Sequence, residues 1–249
     1  MHRLLEGASD NDYEAVASLR NLVDMNLRDH ALLSASSNGQ FQVVEFLIGR
    51  VSHNAQNRAL LLASRNGFDK VVKLLRSGAR WDYINKALLL AVRGGHTRVV
   101  KLIKGHADGR TKSQATIEAA CEGYGQIVRY LADGLPRTTQ NEALLLAAQQ
   151  GHDDIVFSLL PAVYPRTRNK AILCAARKGH VEVVQVLYSG TGPVTTKKAL
   201  LLAAGEGHHD VVELLLPTVD DRYVRDQALL KAAYQGHLHV VAMFQSLPN

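Results

Sequence analysis

Cysteine, proline, aromatic residues and long apolar runs are all scarce in this chain. Its 249 residues include 2 cysteines, Cys121 and Cys174, and 6 prolines, and aromatic residues make up 6%. Two cysteines exclude a disulfide framework and fit a reducing compartment, cytoplasmic or nuclear. The low aromatic content argues against a base-stacking platform for nucleic acid. The longest apolar runs are short, such as Ala59-Leu60-Leu61-Leu62-Ala63. A membrane span needs about 20 such residues. The first residues, Met1-His2-Arg3-Leu4-Leu5-Glu6-Gly7, lack the apolar core of a secretory signal. What is present is the composition of a folded globular protein, 47% hydrophobic and 21% charged. Lysine and arginine outnumber aspartate and glutamate, 29 to 23, and the net charge of +6 favours an acidic partner.

One segment is copied along the whole chain. Copies begin at Ala31, Ala59, Ala87, Ala115, Ala143, Ala171 and Ala199, a constant step of 28 residues. A last copy begins at Ala228, one residue late, and counting back places a degenerate first copy at Arg3. The units are residues 3–30, 31–58, 59–86, 87–114, 115–142, 143–170, 171–198, 199–227 and 228–249. They are expected to form one repeat domain over 1–249, with no length left for a separate catalytic domain. The first unit has Asn11-Asp12 where later units have Gly-His, and the last closes at Phe244 to Leu247. The first is expected as a polar cap, and the last is expected to end with its second helix.

Each unit reads as a helical hairpin. In the unit from Ala143, Leu144, Leu145 and Ala148 mark the buried side of a first helix that ends at Gly151. Thr138 or Thr139 is the expected N-cap, with Glu142 as its capping-box partner, and Thr111, Thr167 and Thr195 the equivalent caps. Asp153 and Asp154 open a second helix, whose stripe is Ile155, Val156, Leu159 and Leu160. Linker residues such as Gly78, Gly105, Gly134, Gly190, Pro136, Pro165, Pro193 and Pro217 are expected to stop the second helices. Helices this short are marginal alone, so units must stack on one another. The small pairs Ala91-Val92, Ala119-Ala120, Ala147-Ala148, Ala175-Ala176 and Ala203-Ala204 suit close approach of neighbouring first helices.

The run from Ala143 to Leu160, and again from Ala199 to Leu216, resembles the helical part of the ankyrin repeat. Leu4-Leu5-Glu6-Gly7-Ala8 looks like an ankyrin N-terminal capping repeat. Two departures stand out. Ala143 and Leu145 occupy the positions of the proline and histidine in the ankyrin Thr-Pro-Leu-His, and the period is shorter than the ankyrin 33. The shortening falls where ankyrins project a β-hairpin finger. The resemblance implies an all-α, right-handed superhelical solenoid of helix-turn-helix repeats, with short loops and few or no β-hairpins. Crossed-helix stacking of the HEAT type is the structural alternative. The resemblance also implies a monomeric protein-binding scaffold rather than an enzyme, with no cofactor and no metal. The regularity of the copies fits a pathogen or viral host-interaction factor, acting in the host cytosol.

His96, His152, His180, His208 and His237 each follow a turn glycine, one unit apart, which suits bonding within each turn rather than one metal. Cys174 replaces a repeat leucine and is expected in the core; Cys121 is expected nearer the surface. No phosphate loop, zinc motif or nucleophile elbow is present. The candidate partner-binding residues are those that vary on a fixed frame. They are Arg65, Arg93, Gln149, Arg177 and Lys178 before the turns, and Trp81, Tyr83, Arg110, Arg137, Arg166, Arg168, Lys197 and Lys198 in the linkers. In ankyrins the former positions line the concave surface. Together they read as one basic edge for an acidic protein segment. Trp81 and Tyr83 are its aromatic anchors, unless Trp81 packs a loop between units. Nucleic-acid binding along that stripe, or recruitment into an enzyme assembly, are the alternatives. Glu118, Glu122, Asp133 and Glu142, interspersed among the basic residues, weigh against the former.

Overall fold

The computed structural model describes residues 24–245. The expected capping segment Leu4-Leu5-Glu6-Gly7-Ala8, Asn11-Asp12 and Leu247 lie outside them. Among the described residues long and short helices alternate, and none is a strand. The long helices are α1 (Met25–Ser37), α3 (His53–Asn66), α5 (Trp81–Arg93), α7 (Gly109–Cys121), α9 (Arg137–Gln150), α11 (Pro165–Lys178), α13 (Pro193–Glu206) and α15 (Arg222–Tyr234). Each is followed by a short one: α2 (Phe41–Leu47), α4 (Asp69–Leu75), α6 (Thr97–Ile103), α8 (Gly125–Leu131), α10 (Asp153–Leu159), α12 (Val181–Tyr188), α14 (His209–Leu215) and α16 (Leu238–Gln245). Four of the described linkers hold a single 3₁₀ turn, such as Leu160–Ala162, and the linkers are too short for a hairpin finger.

The chain divides into two compact units, one up to Ala119 and one from Ala120, the division falling inside α7. In the first, α1 packs on α3 and α3 on α5, while α2 packs on α4 and α4 on α6. In the second, long helices α9, α11, α13 and α15 stack in order, and so do short helices α8, α10, α12, α14 and α16. The small pairs make this possible: Ala147, Ala148, Ala175, Ala176, Ala203 and Ala204 are fully buried. The short helices contribute Ile155, Val156, Val183, Val184, Val211 and Val212, also fully buried.

The junctions between repeats are fastened at both ends of the long helices. At the C-terminal end, a histidine ring of one repeat covers the turn glycine of the repeat before it. His180 Nε2 donates to the carbonyl of Gln149 at 3.0 Å, and its ring lies over Gly151. His208 does the same to Arg177 at 2.7 Å over Gly179, and His152 to Cys121 at 3.1 Å over Gly123. His96 bonds Arg65 at 2.8 Å, and His237 bonds Gly205 at 3.1 Å. These histidines therefore bridge repeats, whereas bonding within the turn was expected. Over Gly39 the ring is Phe68, which fills the same place without the hydrogen bond. The glycine is required twice: Gly151 has φ 86°, and a Cβ there would lie 2.7 Å from His180 Nδ1.

At the N-terminal end, an acid or amide side chain of one repeat holds the backbone that starts the next long helix. Asn57 Oδ1 accepts the N–H of Arg80, Asn85 Oδ1 that of Asp108 and Asn141 Oδ1 that of Tyr164, each at 3.1 Å. Asp29 accepts from the N–H of Ser52 at 2.8 Å. The expected threonine caps do not form. α9, α11 and α13 start earlier, behind Pro136, Tyr164 and Gly192. Thr138, Thr139, Thr167 and Thr195 thus lie inside first turns, and Thr139 and Thr167 are buried. Thr111 donates its N–H to Asp108 at 2.6 Å rather than capping. Glu142 has no cap to complete. Pro165 and Pro193 begin long helices as N1 residues instead of ending short ones, and Pro136 is an N-cap.

Two core assignments also change. Leu144 and Leu200 are fully buried, but Leu145 and Leu201 are only half-buried. Cys174, one position further along its unit than Leu173, is exposed rather than core. The leucine run of each repeat is longer than the face its helix buries.

His180→Ala should remove one inter-repeat bond and a ring contact, lowering stability by about 1–2 kcal/mol in urea unfolding. His180→Phe should recover part of the loss, as Phe68 serves over Gly39. An unchanged midpoint for His180→Ala would show the bridge to be energetically idle.

Candidate protein-interaction face

Opposite its buried alanines, each long helix exposes a stripe at i, i+4, i+7 or i+8, and i+11. On α11 the stripe is Arg166, Lys170, Leu173 with Cys174, and Arg177. On α9 it is Thr138, Glu142, Leu145 with Leu146, and Gln149; on α13 it is Val194, Lys198, Leu201 with Leu202, and Gly205. In the first unit α3 presents Arg58, Leu61 with Leu62, and Arg65, and α5 presents Lys86, Leu89 with Leu90, and Arg93. The half-buried leucines are thus flanked by cations on both sides in α3, α5 and α11, by Lys198 on one side in α13, and by no cation in α9.

The residues of the expected single basic edge lie at opposite ends of the long helices. Trp81, Arg110, Arg137 and Arg166 sit at the starts of long helices, while Arg65, Arg93, Gln149, Arg177 and Lys178 sit at their ends. From Arg166 to Arg177 the helix rises about 16 Å, with the leucines between. The linker residues and the turn residues therefore do not form one edge.

Several expected partner-binding residues are occupied within the chain. Arg93 makes a bidentate pair with Glu118, Nε to Oε2 at 3.0 Å and Nη2 to Oε1 at 3.1 Å. Burial pushes the Glu118 carboxyl up, but Arg93 and Gln114 outweigh it and hold the group below the usual carboxylate range. Lys197 donates to Asp221 at 2.7 Å and holds that carboxyl low. Arg168 lies across Gly190, where a Cβ would collide with its guanidinium. The Arg137 guanidinium sits 5.6 Å over the Tyr164 ring, and Lys86 sits 5.3 Å over the half-buried Tyr83 ring. Arg65, Arg110, Gln149, Arg166, Arg177, Lys178 and Lys198 are exposed. Trp81 is 70% exposed, so it does not pack a loop between units.

Sequence reasoning missed an apolar concentration on α13 and α15. Val194, Tyr223, Leu230 and Tyr234 are all exposed, Tyr234 by 89%. A cavity of about 740 Å³ lies between these helices, bordered by Leu201, Leu202, Gly205, Leu230 and Tyr234. The signal was legible: at the register of Gln149 and Arg177, these repeats carry Gly205 and Tyr234 instead.

The bridging histidines each serve a different junction and do not converge. The ligand atoms of His209, Asp210 and Glu213 lie within 4.8 Å of one another, with His209 Nδ1 paired to Asp210 at 3.1 Å. All three are on α14, and Asp210 is 77% exposed. That is an open surface group, unlike the four-ligand enclosure of a structural zinc.

Helix pairs of fixed register, stacked through small residues and fastened by glycine-turn rings, define a helical repeat scaffold. Residues 4–85 and 172–246, more than half of the chain, match the family model described as ankyrin repeats (3 copies). The chain belongs to the ankyrin repeat family. Repeats of this family generally serve as protein-protein interaction modules and are typically non-catalytic. No curated protein matches the chain. No helix among the described residues is long and apolar enough to cross a membrane.

The Glu118 carboxyl is held low in the folded protein, so its pairing stabilises above the ordinary carboxylate range and is lost as pH falls through the lowered value. Arg93→Ala should move the Glu118 titration, followed by NMR, upward toward the ordinary range. An unmoved titration would mean that the bidentate pair does not exist in solution.

Proposed function

We propose that this chain is a non-catalytic scaffold that holds an acidic segment of a partner protein against the exposed stripes of its long helices. The observation that carries this reading is the cationic flanking of the leucine band. Arg58, Arg65 and Lys86 border it in the first unit, and Lys170, Arg177, Lys178 and Lys198 in the second. Leucines at half exposure offer apolar area, and cations on either side select against partners of like charge. Arg177 and Lys178 belong to the last turn of α11, where cations also oppose the helix dipole, so their exposure carries little structural cost. The aromatic anchors are not Tyr83, whose ring is engaged by Lys86; Trp81 stands out from the start of α5.

Binding of a labelled peptide of alternating leucine and glutamate should weaken about tenfold in the double variant Arg177→Glu, Lys178→Glu, about 1.4 kcal/mol, with the protein still folded and its melting temperature lowered only slightly by the loss of the cations at the helix end. Full affinity in that folded variant would overturn the assignment. Tighter, steeply salt-dependent binding of a single-stranded oligonucleotide than of the peptide would favour nucleic acid instead.

A further inference from the structure

The second unit breaks its own pattern at one place, and the break makes a pocket. At the register where α9 carries Gln149, α11 carries Arg177 and α15 carries Tyr234, α13 carries Gly205. A glycine inside a helix costs about 1 kcal/mol relative to alanine. The glycines that follow the long helices, such as Gly151, Gly179 and Gly207, are needed for a positive φ and for the ring that covers them. Gly205 is not among the positive-φ residues, and a Cβ there would meet only Lys231, at 3.9 Å. Its carbonyl accepts from His237, which any residue would allow. Packing therefore does not explain the missing side chain.

What the missing side chain does is open the floor between α13 and α15. The resulting cavity of about 740 Å³ has Leu201 and Leu202 on one wall and Leu230, Ala233 and Tyr234 on the other. Leu230 is 68% exposed, and Tyr234 stands almost fully in solvent. Exposed apolar walls around an unfilled volume are what an anchor residue of a partner fills. The charges around the pocket select the flanks of that anchor. Lys231 lines it, Lys198 lies two helical turns before Gly205 on α13, and Arg177 and Lys178 end the neighbouring α11. Glu206, next to Gly205 in the last turn of α13, is the acidic lining residue and faces the same rim as Lys231.

We infer that the pocket beside Gly205 receives one bulky apolar side chain, aromatic or leucine, from an acidic segment of a partner protein. This rests on the acidic-partner reading and specifies it. The volume exceeds what a methyl group fills, and the cations place acidic residues beside the anchor rather than at random along the segment.

The test uses the full chain and two synthetic peptides of equal glutamate content, one with a central phenylalanine and one with alanine in its place. Fluorescence anisotropy should show the phenylalanine peptide binding at least tenfold tighter. In Gly205→Trp, whose added ring fills the cavity, that preference should fall to less than threefold, while the weaker affinity for the alanine peptide stays as it was. Gly205→Ala is the folding control and should melt no lower than the parent, since its Cβ makes only ordinary contact with Lys231 at 3.9 Å. Equal binding of the two peptides to the parent chain, or a preference that survives Gly205→Trp, overturns the anchor pocket alone. Failure of both acidic peptides to bind overturns the acidic-partner reading and the pocket with it.

Discussion

Long helices are held at their ends by side chains of the neighbouring repeats, at both ends in α3, α7 and α11, and the other features of the structure follow from that constraint. At one end an imidazole of the following repeat lies on a left-handed glycine and donates to a carbonyl of the long helix, as His208 does to Arg177. At the other, an asparagine or aspartate of the preceding repeat takes the N–H that opens the helix, as Asn57 does for Arg80. Two bonds separated by the helix length fix rotation and slide together. Hydrophobic contact between alanine faces is non-directional and could not do this alone. With the register fixed, the outward stripes carry few structural bonds, the Arg93 pair with Glu118 among them.

The scarcity of such bonds explains why variation gathers where it does. The buried positions barely change from copy to copy, whereas the outward register runs through Arg65 and Arg93 in one unit and Gln149, Arg177, Gly205 and Tyr234 in the other. A family whose members bind proteins through a shared frame needs such positions. Here they combine a leucine band with cations. In the second unit they culminate in a glycine that no packing contact requires.

The frame was legible because its period is constant, and the turn glycines and small pairs fall where the period puts them. The helix starts were not legible. A threonine near the start of a helical run suggests a local cap, but the partner of that backbone comes from the preceding repeat, 23 residues earlier for Tyr164 and Asn141. The histidines were assigned to their own turns for the same reason: sequence neighbourhood stood in for spatial neighbourhood. Leu145 and Cys174 show a second limit. Four consecutive apolar positions wrap further round a helix than its buried face extends, so their outer members emerge half-buried or exposed. In the binding face, the charges were found but their grouping was not. The length of a helix separates residues that a linear reading placed on one edge.

The most direct measurement is the two-bond proton–nitrogen correlation of the imidazoles of His96, His152, His180, His208 and His237. The expected result is a proton on Nε2 of every ring, slow to exchange and coupled to a carbonyl of the preceding repeat. Rings that exchange freely, or neutral rings carrying the proton on Nδ1, would contradict the fastening on which the rest of the structure depends.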